Sequence, residues 1–152
     1  MAYGACIYIR VVSAKGVKIT LVCSKSKIAP INRITIPRME LCAALLLSRL
    51  ASKVVPALKI ELHQTVYYSD SQIVLAWMKK PINQLNLFVR NRIMEINNQT
   101  ANAVWQYVRT EENPADVVSR GQLPQSLASN HLWWNGPSFL QNHEYKIDEP
   151  SR

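Results

Sequence analysis

Acidic residues are scarce in this 152-residue chain, where ten Asp and Glu stand against eighteen Lys and Arg and leave a formal charge of +8. Such a surplus raises encounter rates with any polyanion, and nucleic acid is the commonest one. Charge alone leaves the partner open, because many basic proteins bind no nucleic acid specifically. Cysteine is sparse too. Cys6, Cys23 and Cys42 are odd in number and far apart, and each lies in an apolar run. They lack the C-x2-C spacing of zinc sites and read as reduced core residues. The longest apolar run, around Leu41 to Leu47, falls short of the roughly 20 residues a spanning helix needs. Arg49 and Lys53 follow it closely, so no membrane span is expected. Met1 opens a mixed stretch containing Arg10, with no apolar core and small-residue cleavage site, so the chain reads as intracellular, in cytoplasm or nucleus. No internal repeat or low-complexity tract is visible.

What is present is a 48% hydrophobic chain with room for one domain and one core. Ala5 to Val12 is rich in β-branched and aromatic residues, Val17 to Cys23 alternates apolar and polar, and Ser13 to Gly16 supplies a turn; together they predict a β-hairpin. Ser24 to Pro37 reads as a basic connector, in which Ile34 to Ile36 could still pair with a sheet. Pro37 suits a first helical turn, and Arg38 to Val54 reads as a helix. Met39, Leu41, Cys42, Leu45, Leu46 and Leu50 cover much of its circumference, so it should be buried against a sheet. A strand at Gln64 to Tyr68, helices over Gln72 to Met78 and from Leu85 to Ile96, a strand at Ala103 to Val108 and a short helical ADVVSR segment follow. This alternation predicts an α/β domain with a mixed sheet flanked by helices over residues 1–122. Residues 123–152, rich in Pro, Ser, Asn and Gln, read as an extended segment pinned by Trp133 and Trp134 and ending in a mobile tail.

Three carboxylates occupy positions where periodicity would not place a surface charge: Glu40 on the apolar helix, Asp70 at a strand end and Asp116 at the start of a late helix. Hard oxygen ligands so placed could hold magnesium and activate water against a phosphodiester. Structural roles account for each equally well. Asp70 could cap the helix that follows SDS, Asp116 could favour a helix dipole, and Glu40 could pair with Arg38 or Arg49. Spacing alone does not decide between these. His63, His131 and His143 are isolated, and the four tryptophans suit core or anchoring positions.

Specific words go further. AYGA at Ala2 to Ala5, LVCSKSKIAPINRITIPRMELCAALLLSRL at Leu21 to Leu50, YYSDSQIVLAWM at Tyr67 to Met78, ENPADVVSRG at Glu112 to Gly121 and LWWNGPSFL at Leu132 to Leu140 run in order along the chain. Together they resemble the ribonuclease H region of BEL/Pao-type retrotransposon polyproteins. The resemblance implies a ribonuclease H-like fold, with a five-stranded mixed sheet and four acidic residues converging on two magnesium ions, or manganese in their place, to cut RNA in an RNA–DNA hybrid. Carried across, Glu40 in PRMEL is the helix-borne ligand, Asp70 in YSDS the strand-end ligand and Asp116 in NPAD the late-helix ligand. Reverse transcriptase and integrase regions of the same polyprotein are the implied neighbours.

Two departures stand out. The family's first ligand is an aspartate in a D-A-S word on a central strand just before AYGA, whereas this chain opens at Met1-Ala2-Tyr3. The expectation is a truncated domain whose hairpin and Tyr67 strand lack the strand that joins them, with cleavage impaired. Arg109 to Glu112, before NPAD, also lacks the histidine that some cellular ribonucleases H carry there. Lys25, Lys27, Arg33 and Arg38 before the ligand helix, and Lys79, Lys80, Arg90 and Arg92 around the next turn and helix, are candidate phosphate contacts. A merely solvated surface is their alternative. Three readings follow: an impaired nuclease, a non-catalytic nucleic-acid-binding remnant, and a fragment without an independent fold.

Overall fold

The computed structural model describes residues 1–30, 34–101 and 103–147. The β-branched and aromatic N-terminal run forms β1 (Ala2–Ser13), which pairs antiparallel with β2 (Gly16–Ile28). The hairpin closes at Ser13 opposite Gly16, whose φ of 120° falls where side chains are disfavoured. β2 continues past the expected break at Ser24. Lys25 and Lys27 stand opposite Ala5 and Tyr3, so pairing with β1 outweighs the weak strand preference of Ser and Lys. A bulge sets Ile7 against Cys23 but Tyr8 against Leu21, adding a residue on β2.

The expected extended piece at Ile34 to Ile36 does not pair. Thr35 is the extended cap of α1 (Ile36–Leu58), and Pro37 in the first turn presets helical φ, so the chain is already helical where a strand was anticipated. α1 runs through Pro56 and ends at Lys59 in the left-handed conformation. By length and composition it would suffice to cross a bilayer. In this fold other elements of the chain cover part of its apolar side, at Leu41, Ala44, Leu45, Leu46 and Ala51. Leu41, Ala44 and Leu45 share the core with Val74 of α2 (Gln72–Lys79), Leu85, and Val89, Ile93 and Ile96 of α3 (Leu87–Gln99). Asn86 starts α3 by accepting the Val89 N–H at 3.1 Å.

β3 (Val66–Ser69) and β4 (Val104–Tyr107) pair in parallel, with α2 and α3 making the crossover, and Tyr67 stacks on Trp105 at 4.8 Å. The architecture is mixed α/β, as anticipated. Instead of one sheet there are two two-stranded ladders with no hydrogen bonding between them among the described residues. α4 (Ala115–Arg120) lies across the hairpin at Gly4, where a Cβ would approach Val118 Cβ to 3.2 Å and Ala115 O to 3.4 Å.

The C-terminal segment, expected to run extended, coils into α5 (Pro124–Ala128), α6 (His131–Asn135) and a 3-10 turn over Ser138–Gln141. Asn130 caps α6, and Trp133 is buried while Trp134 stays half exposed with its Nε1 donating to Leu127 O. The segment also ties the ladders together. Tyr8 Oη donates to Trp133 O, Arg10 Nε donates to Leu140 O at 2.7 Å, and Tyr145 Oη reaches Tyr68 and Gln106 on the other ladder.

Leu41 is fully buried in the contact between α1 and α3, so Leu41→Ala should cost about 3 kcal/mol in urea unfolding. A loss under about 1 kcal/mol would show that this contact is not the main core.

Candidate active site

Asp70 leaves the end of β3 at the bend into α2. The cap of that helix is its neighbour. Ser71 Oγ accepts the Val74 N–H at 3.2 Å, and the Ser71 N–H is held by Ser69 Oγ at 3.1 Å. Capping therefore does not occupy the Asp70 carboxylate.

Glu40 lies half-buried on α1, and both suggested partners are engaged elsewhere. Arg49 makes a two-pronged pair with Glu95 of α3, Nη2 to Oε1 at 2.8 Å. Arg38 lies over the Phe88 ring, 4.7 Å from its centroid. Glu40 belongs to no ion pair among the described residues.

Asp116 sits in the first turn of α4, as the helix-dipole alternative requires. Its one cationic neighbour within ion-pair range is Arg120, at 3.8 Å and 77% exposed, a contact worth little. Burial pushes the Asp116 carboxyl above the usual aspartate range, the charges of Asp70 and Glu40 push it further, and Arg120 opposes them. Carboxylates separated by 30 and 46 residues thus come within electrostatic reach of one another, and Gly4 lets α4 approach closely enough to bring Asp116 there. Glycine at position 4 was a part of the site that the sequence did not flag.

Three oxygen-donor side chains from three elements are the chemistry a hard divalent cation takes. As the side chains stand, no three of His, Cys, Asp and Glu among the described residues approach closely enough to hold a metal ion. The donor types fit magnesium; the ligand cluster is not closed.

The basic candidates divide. Lys25 and Lys27 are exposed on alternate positions of β2, so they share a face, and Lys79 and Lys80 are exposed at the end of α2. Arg90 folds back onto Leu85 O, with Nη2 at 2.9 Å. Arg92 donates to Phe88 O and its guanidinium carbon lies over the same ring as that of Arg38. Arg33 lies outside the described residues. The three cysteines are free, and burial pushes the Cys6 thiol up to about 12, so it does not supply a thiolate at neutral pH.

Residues 1–71 match the family described as the Pao retrotransposon-like RNaseH-like domain, a span that contains Glu40 and ends one residue past Asp70. Neither a curated protein nor a solved structure matches the chain.

The folded chain holds the Asp116 proton more tightly than an unfolded chain would. This group therefore favours folding below the ordinary aspartate range, and its contribution is lost as pH rises through the raised value. Asp116→Asn should raise the melting temperature at pH 7 by about 2 °C and change it less at pH 3.5. A variant less stable than the parent at pH 7 would make Asp116 a structural acid.

Proposed function

We propose, from the match of residues 1–71 to the Pao retrotransposon-like RNaseH-like domain, metal-dependent hydrolysis of the RNA strand of RNA–DNA hybrids at Glu40, Asp70 and Asp116. The observation that carries the reading is that these three acids, far apart in sequence, share one neighbourhood in which Ser71 and Glu95 have taken over the structural roles open to two of them. Half-buried like charges repel one another, and functional sites are where such arrangements persist.

Glu40, Asp70 and Asp116 would hold magnesium, or manganese in its place. When bound, the metal supplies an activated water and charge stabilisation at the scissile phosphate. The chain's own contribution is placement: α1, the end of β3 and α4 each bring one carboxylate. Exposed Lys25, Lys27, Lys79 and Lys80 would contact the hybrid backbone, where shape and phosphate charge matter more than base identity. The region would act inside the cell beside the reverse transcriptase and integrase regions of the same polyprotein. The resemblance also implies a fourth ligand, the D-A-S aspartate, and removing one such charged contributor costs about a hundredfold or more in rate.

A second reading, a non-catalytic nucleic-acid-binding remnant, is favoured by the open arrangement of the carboxylates as they stand. The test is cleavage of a labelled hybrid in magnesium by this chain, by its Asp70→Asn variant, and by a version extended upstream with a strand bearing the D-A-S aspartate. Strong cleavage by the extended protein, abolished by Asp70→Asn, is the expected result. No cleavage by any of them, with salt-sensitive hybrid binding retained, would replace the nuclease with the binding module.

A further inference from the structure

A cavity of about 270 Å³ opens between the hairpin, α1 and α3, with Tyr3, Lys27, Arg49, Asn91, Arg92 and Glu95 in its wall. Tyr3 and Lys27 are cross-strand partners, so their side chains project from the same face of the hairpin. Arg49 comes from α1, and Asn91, Arg92 and Glu95 come from α3.

The cavity's charge is not internally cancelled. Its three cations face one acid, Glu95, and that acid is gripped by Arg49 through both oxygens, which holds its carboxyl below the usual range. Lys27 and Arg92 have no carboxylate in ion-pair range among the described residues. Arg92 is also held in place before any ligand arrives. Its Nη1 donates to Phe88 O at 3.1 Å, and its guanidinium carbon lies 3.6 Å from the Phe88 ring centroid. A fixed guanidinium, a mobile ammonium, a phenol and an amide on one small polar wall are the donor set that suits a tetrahedral oxyanion.

We propose that this cavity seats one backbone phosphate of a bound nucleic-acid strand, through Lys27 and Arg92 with Tyr3 and Asn91 as neutral donors. The proposal rests on the nucleic-acid reading above and adds a second point of attachment. On α1 the cavity wall runs from Cys42, two residues past Glu40, to Arg49, nine residues past it and about 14 Å along the helix at 1.5 Å per residue, so the seat extends away from the carboxylates toward Arg49. It would fix the register of the strand relative to the acids without touching the reacting phosphate.

The experiment measures hybrid affinity against salt in EDTA, where binding is separated from cleavage, for the full chain and for Lys27→Gln, Arg92→Gln and Lys53→Gln. Lys53 is an exposed cation on α1 outside the cavity and controls for general charge loss. Circular dichroism checks each fold, and Lys27→Gln, on an exposed strand residue, carries the test if Arg92→Gln unfolds. Lys27→Gln and Arg92→Gln should each make the slope of log K against log salt shallower by about 0.9, the loss of one phosphate contact, with Lys53→Gln unchanged. Equal slopes in all four proteins would overturn the seat while leaving the cleavage test untouched. If the parent binds no hybrid, titration with inorganic phosphate followed by amide NMR decides. Shifts centred on Tyr3, Asn91 and Arg92 would retain the cavity as a phosphate site, and no shifts would overturn it.

Discussion

Everything in this fold is arranged around the contact of α1 with α3. Leu41, Ala44 and Leu45 meet Val89, Ile93 and Ile96 there, and Val74 and Leu85 close the same cluster from α2 and the loop that precedes α3. That one packing event fixes α1, which carries Glu40, and α2, which follows the bend at Asp70, to the same core. It also sets Arg49 against Glu95 and brings Arg38 over the Phe88 ring. Polar placement here follows from apolar packing, because the core residues bury far more surface than any surface ion pair repays.

Much of this was legible in the sequence, for reasons that differ from element to element. The hairpin was readable from β-branched residues around a Ser-Ala-Lys-Gly turn, and α1 from an apolar run opened by Pro37. The far end of β2 was not, because Ser24 to Ile28 carries no local strand signal and is held by its partner strand. The reverse error at Ile34 to Ile36 arose because a β-branched triplet carries a strand signal, whereas the helix that Pro37 favours already begins at Ile36. The C-terminal segment misled in a third way: α6 is held by its Asn130 cap and by distant Tyr8, and the turn after it by distant Arg10, contacts that no local pattern can show.

The candidate site was legible as a set of residue names and illegible as a set of roles. Asp70 beside a serine at a helix start left capping open, and only the Ser71 hydroxyl on the Val74 N–H closes that alternative. The competition for Glu40 was likewise decided by residues distant from it, Glu95 and Phe88. Gly4 belongs to the site for a steric reason, and a glycine within a strand carries no sequence signal that distinguishes close approach from a simple bulge.

The tie between the ladders has a kinetic side. Tyr8 meets Trp133 across 125 residues of chain and Arg10 meets Leu140 across 130, whereas the hairpin closes over a two-residue turn. During synthesis the hairpin can form as soon as it emerges, but the hydrogen bonds joining it to the C-terminal segment must wait for nearly the whole chain. Until then the nascent domain exposes strand edges and the faces that α6 later covers, which is the interval in which a chain dominated by long-range closure is most open to aggregation.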